Sequence, residues 1–297
     1  MLVWGTTYAA IRVGLETVPP FTGVALRFAI ATVVVLLVAR LVSPDWRQGG
    51  NRWGLWTFNA ICHFVIPYGV TYWAEQWLPS GLAAVIFSSY PLFVAVLAHL
   101  MLRGERLSWL SSVGVLLGFA GVALIYSDDL GALADPQARL AAGVILLSPL
   151  ASAVGDVAIK KYWTHVHAVS LTAPSLGITA VIMGAMALTL EDWRPSATPL
   201  EGWLIILYLA LFGTALTFTI YFRLLARVRV TGLSLITYGI PIIALAVGTF
   251  WLGEVITPRV IAGAFLVLVG VAAALRRKPP RKPPGGVGTA LTRSHES

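Results

Sequence analysis

Charge is what this sequence has least of. Asp, Glu, Lys and Arg make up 11% of its 297 residues, where soluble domains carry roughly 25%, so an ordinary water-soluble globule is excluded. Cysteine is nearly absent too. Cys62 stands alone, which excludes an internal disulfide, and its place in an apolar run predicts a packing role. Acidic residues are outnumbered, 13 against 21 basic, for a formal charge of +8. Nucleic acid is still not an expected partner, because +5 of that excess falls in residues 276–297. That tail, opening "RRKPPRKPPGG", is Pro/Gly-rich and predicts a disordered segment rather than a docking face. Catalytic signatures are missing as well. There is no H-E-x-x-H, G-x-S-x-G or P-loop pattern, and the "HVH" at 165–167 is too sparse for a metal site. No catalytic residue, metal or cofactor is therefore expected, and ATP-driven work by this chain alone is disfavoured.

What the sequence does have is apolar length. Hydrophobic residues make up 58% of it. After a first run at the very start, nine more lie near 20–39, 55–74, 81–102, 109–126, 140–159, 168–190, 203–222, 232–252 and 259–275. Each approaches the ~20 residues that a helix needs to cross a ~30 Å hydrocarbon core. The expected fold is an all-α integral membrane protein of ten transmembrane helices, set in a lipid bilayer. Basic residues choose its orientation. With both termini cytoplasmic, sixteen fall inside against three outside, Arg139, Arg194 and Arg259, as the positive-inside rule requires. Trp46, Trp53, Trp77, Trp109, Trp163, Trp193 and Trp203 fall near span ends, as an aromatic belt should.

Fixed spacings then recur along the chain. Glu105, Gly114 and Gly121 repeat as Glu254, Gly263 and Gly270, at an offset of 149 residues. Pro91 matches Pro241, Gly81 matches Gly232, and "AIRVGLETVPPF" aligns with "AIKKYWTHVHAV". The spans are thus five plus five, and an odd number per copy makes the second copy cross in the opposite direction. Such inverted-topology repeats are a recurrent device of secondary transporters. The expected divisions are a first five-helix repeat at 1–127, an external linker at 128–139, a second repeat at 140–275 and the basic tail at 276–297. The sixth span has about eighteen residues before "AIK", while nine precede "AIR" in the first. One expectation is a natural start some eight or nine residues upstream of Met1; the alternative is a short first span around which the bilayer thins.

Three stretches resemble a known family. "WGTTYAAIRVGLETVPPFTGVALRF" at 4–28, "PSGLAAVIFSSYPLFVAVLAHLMLRGERLS" at 79–108 and "YGIPIIALAVGTFWLGEVITPRVIAGAFLVLVGVAAAL" at 238–275 look like EamA-type members of the drug/metabolite transporter superfamily. The resemblance covers nearly the whole chain. It implies a ten-helix carrier of the bacterial inner membrane, with a central cavity between the repeats, often working as an exporter.

Polar groups inside spans are costly, so each needs a partner or a task. Arg27 lies seven residues into the second span and reads either as an anchor for a substrate carboxylate or phosphate, or as a structural arginine. Ser148, Ser152, Asp156 and Lys160 recur every four residues on one face of the sixth span. The last three correspond to Trp4, Tyr8 and Arg12 at the repeat offset, so matched stripes would line a cavity on a pseudo-two-fold axis. The plainer alternative pairs Arg12 with Glu16 and Asp156 with Lys160; Asp156 could also carry a coupling proton. Asn59, His63 and Tyr72 in the third span are further candidates, each with a packing alternative. "SSYP" (88–91) and "TYGIP" (237–241) hold equivalent prolines that free a carbonyl, which nominates Ser89, Tyr90, Thr237 and Tyr238 as cavity residues. Gly114 and Gly118 predict close helix packing, within the protomer or in a homodimer. Glu105 and Glu254 read as loop caps. A small-molecule substrate is the expected partner. Export of amino acids or related metabolites is favoured, with drug efflux or exchange of nucleotide-sugars or sugar phosphates as alternatives and a membrane-embedded enzyme less favoured.

Overall fold

The computed structural model describes residues 2–42, 52–103, 105, 108–125, 127–195, 198–240, 243 and 257–275. Glu254, Pro241 and the tail 276–297 lie outside the described residues. Among the described residues the chain forms ten helical rods, a 3₁₀ stretch at Ser127–Ala134 and no strand. The first two are α1 (Leu2–Gly14) and α2 (Pro20–Val42). Rod α3 (53–74) runs as Trp53–Ala60, a π-helical turn Ile61–Val65, and Ile66–Ala74. Rod α4 (80–101) breaks at Ser88 and Ser89, between Ser80–Phe87 and Tyr90–Met101. Next come α5 (Trp109–Ile125), α6 (Pro136–Tyr162) and α7 (Ala168–Leu190). Rod α8 (Leu200–Arg227) holds a second π-turn, Leu211–Leu216. Rod α9 (230–240) begins as Val230–Ser234 and tightens into a 3₁₀ turn at Leu235–Tyr238; α10 is Pro258–Leu275.

These rods are built for lipid. Five of them are long and apolar enough to span a bilayer, and α5 and α10 are shorter apolar helices. Val33, Leu100, Val181, Leu188 and Phe265 face outward and exposed, an arrangement that water would penalise and hydrocarbon does not. The fold is an all-α membrane architecture of two inverted five-helix repeats.

The inversion is visible in side-chain detail. The two π-turns start at residues 61 and 211, an offset close to that of the glycine repeat. The breaks in α4 and α9 are likewise equivalent. Rod α5 packs along α10, and α2 along α7. In the first pair a Cβ on Gly114 would lie 2.5 Å from the Gly270 carbonyl, and one on Gly121 2.6 Å from that of Gly263. Gly114 corresponds to Gly263 and Gly121 to Gly270, so the contacts are exchanged between copies, as a two-fold axis demands. The small residues thus serve contact within the protomer. Gly118 lies in the same stripe and receives the Tyr238 ring, 2.5 Å from where its Cβ would be.

The charged residues at the helix ends also work in related pairs. Arg12 on α1 donates from Nη1 to the Glu75 carbonyl at the end of α3, at 2.6 Å. Its counterpart Lys160 on α6 donates from Nζ to the Leu225 and Ala226 carbonyls at the end of α8, at 2.9 and 3.3 Å. Each cation satisfies carbonyls that a helix C-terminus leaves open. The expected i,i+4 pairs, Arg12 with Glu16 and Asp156 with Lys160, are replaced by these caps, because an unsatisfied carbonyl at a buried helix end is the more pressing need. Two carboxylates do the converse. Glu105 accepts from the Val230 and Thr231 N–H groups that open α9, and Glu191 from the Phe21 and Thr22 N–H groups near the start of α2. Glu105 is thus a helix N-terminal cap.

Candidate functional site

A cavity of about 100 Å³ lies where the repeats meet. Trp4, Thr7, Tyr8 and Ile11 line it from α1; His63, Pro67, Tyr68 and Thr71 from α3; Phe87 and Tyr90 from α4. The second repeat supplies Ser148, Ser152 and Asp156 from α6, Phe218 and Tyr221 from α8, and Leu233, Ile236, Thr237 and Ile240 from α9. The irregular backbone accounts for much of this lining. Phe87 and Tyr90 flank the break in α4, where Pro91 supplies no N–H to the Phe87 carbonyl. His63 sits in the first π-turn, a geometry common at functional sites.

Asp156 is the centre of the site. It is 1% exposed, yet its carboxylate borders the cavity. His63 Nε2 lies 2.7 Å from Oδ1. The hydroxyls of Tyr90 and Tyr221 both donate to Oδ2, Tyr221 at 2.5 Å, and the two hydroxyls are 2.8 Å apart. Among the described residues His63 Nδ1 is buried without a partner. The tautomer that fits therefore carries its proton on Nε2 and donates to Asp156, since a second proton on Nδ1 would meet no acceptor. His63 reaches Asp156 because Gly155 makes room: a Cβ there would lie 2.3 Å from His63 Cε1 and 2.6 Å from Nδ1.

Aromatic rings dominate the remaining wall. Trp4 meets Phe218 and Tyr221 at centroid separations of 5.6 Å, and Phe87 stacks on Tyr90 at 5.9 Å. Among the described residues the Trp4 indole N–H is buried without a partner. Ser148 and Thr71 face one another at 3.3 Å between their hydroxyls. Trp4, Tyr8, His63, Tyr90, Ser148, Ser152, Asp156 and Thr237 are thus brought together around one space.

Five other candidates lie elsewhere. Arg27 is buried behind the wall, donating from Nε to Thr214 Oγ1 at 2.7 Å, from Nη1 to the Tyr72 hydroxyl at 3.1 Å and from Nη2 to the Gly213 carbonyl at 3.2 Å. Its guanidinium carbon also sits 4.7 Å from the Tyr68 ring centroid, and that ring screens it from the cavity. Tyr72 is thereby Arg27's partner. Asn59 donates to Ser175 Oγ at 2.9 Å between α3 and α7. Ser89 donates to the Ile86 carbonyl within the α4 break, and Tyr238 donates to the Val115 carbonyl at 2.8 Å while packing on Gly118.

Tyr221, Thr71 and Phe218 were not singled out from the sequence. The repeat offset holds the missing signal. It sets α8 against α3, where His63 and Tyr72 had been noted, and pairs Tyr221 with Thr71. Glu75 was also missed: its carboxylate is fully buried, with no hydrogen-bond partner on either oxygen among the described residues.

Comparison with known proteins agrees with this architecture. A model of the EamA-like transporter family matches residues 1–127 and again 139–276. The chain is 27% identical over 288 residues to an uncharacterized transporter of Archaeoglobus fulgidus, covering 93% of this chain and 95% of that one. It is 24% identical to the uncharacterized transporter YoaV of Bacillus subtilis, covering 91% and 92%. The uncharacterized inner membrane transporter YedA of Escherichia coli K12 is 28% identical over 86% of this chain and 81% of its own. A protein of known crystal structure superposes with a TM-score of 0.79 at 20% identity, over 92% of this chain and 93% of that one, a likeness of fold.

Proposed function

Because this chain belongs to the EamA-like transporter family and is a membrane transporter, we propose that it is a secondary exporter of small metabolites, amino acids or their relatives, working by alternating access. The observation that carries this reading is the cavity itself: it is walled by both inverted repeats and centred on a buried carboxylate. Inverted halves exchange roles when one rocks against the other, so a site between them opens to each side in turn. The halves that would rock are residues 1–127 and 140–275, with the basic loops and both termini on the cytoplasmic side. The kinship with YedA supports placement in a bacterial inner membrane.

Drug efflux is the second reading, favoured by the seven aromatic rings in the wall. Exchange of sugar phosphates or nucleotide-sugars is disfavoured, because it calls for cations facing the cavity and Arg27 is spent on Thr214, Gly213 and Tyr72.

The test compares extracellular metabolites of cells expressing the wild-type chain and an Asp156→Asn variant at matched membrane abundance. A compound class that accumulates outside only with the wild type is the expected result. Profiles matching those of empty cells would defeat the export reading.

A further inference from the structure

We propose that Asp156 is an exchange site at which an organic ammonium ion and a proton compete. This rests on the transporter reading and names both the charge of its substrate and the ion coupled to it. The first support is a count of hydrogens. Asp156 Oδ2 and the Tyr90 and Tyr221 hydroxyl oxygens form a triangle, all three pairs within hydrogen-bonding distance. Each hydroxyl brings one hydrogen. With Asp156 ionised there are two hydrogens for three edges, and one edge faces lone pair against lone pair. A proton on Asp156 supplies the third, so the triangle is a place shaped for one more proton. His63 meanwhile serves Oδ1 from Nε2 in either state.

The second support is the sign of the cavity. Among the described residues its lining holds one carboxylate and no lysine or arginine. Around Asp156, α1 brings Tyr8 to the cavity, and α9 carries no charged side chain over residues 230–240, its Tyr238 hydroxyl being given to the Val115 carbonyl. The π-turn of α3 offers His63, and the following turns Tyr68 and Tyr72; α4 offers Tyr90, with His99 on an exposed surface; α8 offers Tyr221, with Arg223 and Arg227 exposed. Along α6 itself, Lys160 is turned to the α8 carbonyls and Arg139 to the Leu133 and Ala134 carbonyls. Arg27 has been removed to the back of Tyr68. Among the described residues an ionised Asp156 therefore has no cationic side chain in the cavity, and aromatic faces beside it suit a cation. A substrate ammonium arriving at the carboxylate supplies the missing charge. In balance, the protonated acid releases its proton to the cavity, the carboxylate takes the ammonium, and departure of the ammonium allows the proton to return.

The experiment is calorimetric titration of the purified full chain with phenethylamine and with phenylacetate, which share a ring and differ in charge. Each is run in two buffers of unlike ionisation heat, from mildly acidic to mildly alkaline pH. The expected result is binding of the amine at least about ten-fold tighter than the acid. Release should approach one proton per amine on the acid side and decline as pH rises, and Asp156→Asn should remove both release and pH dependence. Acid binding as tight as amine, or amine binding without proton release in the wild type, overturns the proposal even where Asp156→Asn fails to fold. Amine binding with proton release, in cells that export nothing, would overturn the transport reading and leave the exchange site standing. Export of an anionic metabolite undiminished by Asp156→Asn would do the reverse.

Discussion

Replacing Gly155 by alanine tests how the site is held. A methyl there would sit 2.3 Å from His63 Cε1, 2.6 Å from Nδ1 and 3.0 Å from Cys62 Cβ. Reaching even a tight 3.4 Å contact requires the ring to retreat by about 1.1 Å, which the surrounding rings resist: Phe222 stands 5.3 Å and Phe64 6.2 Å from it, centroid to centroid. A retreat of that size takes His63 Nε2 from 2.7 Å to well beyond hydrogen-bonding range of Asp156. The lost bond to a charged group is worth about 1.5–3 kcal/mol and the overpacking about 1–3 kcal/mol. Alanine's better helix propensity returns ~1 kcal/mol. The net is a destabilisation of about 1.5–5 kcal/mol, read as unfolding free energy in mixed micelles, together with loss of export. A Gly155→Ala protein as stable and as active as wild type would refute the claimed contact between Gly155 and His63.

Gly121→Ala should separate α5 from α10 and cost about 1–3 kcal/mol, since the clash at 2.6 Å is with the Gly263 carbonyl, which has no rotamer to change. Gly143→Ala on α6, where a Cβ would meet no atom of the described residues within 4 Å, should be neutral or stabilising in the same unfolding assay. Arg27→Ala should destabilise by about 3 kcal/mol or more, because Thr214, Gly213 and Tyr72 lose a shared charged donor; a normally stable protein with altered substrate preference would instead make Arg27 a ligand. Arg12→Ala and Lys160→Ala should each cost a modest ~0.5–1 kcal/mol as lost C-terminal caps, and unfolding titrations of both would show whether the repeat-related caps are equivalent. Glu75→Gln should leave stability unchanged or improved, because the carboxylate makes no hydrogen bond among the described residues; a drop in unfolding free energy would reveal an ion pair with Arg12.

The fold was legible because its signals are periodic and redundant. Apolar runs of membrane length, the glycine spacing from Gly114 to Gly270 and the two prolines repeat in both halves, so no single residue had to be interpreted alone. The site was half legible. Trp4, Tyr8, Ser152 and Asp156 emerged because the repeat offset set two stripes side by side. Arg27 read equally well as an anchor or as a structural arginine, since its partners Thr214 and Gly213 lie about 190 residues away and only the second π-turn brings them near. Tyr72 and Asn59 lie within one helix of the cavity but face α2 and α7, a matter of a few tens of degrees about the α3 axis. The π-turn at 61–65 shifts that phase, and nothing in the local sequence announces it. Tyr221 was hidden for a plainer reason: a tyrosine between apolar neighbours in α8 resembles any packing residue until Asp156 is seen opposite.

Alternating access to the Asp156 cavity is the central claim, and the lone cysteine makes it testable. Cys62→Ser gives a thiol-free background, into which Ser152→Cys places one thiol on the cavity wall. Membrane-impermeant maleimide is then applied to right-side-out and to inverted vesicles. The account predicts labelling from both sides, slowed in each case by phenethylamine. Labelling from one side alone, whatever is added, would contradict it.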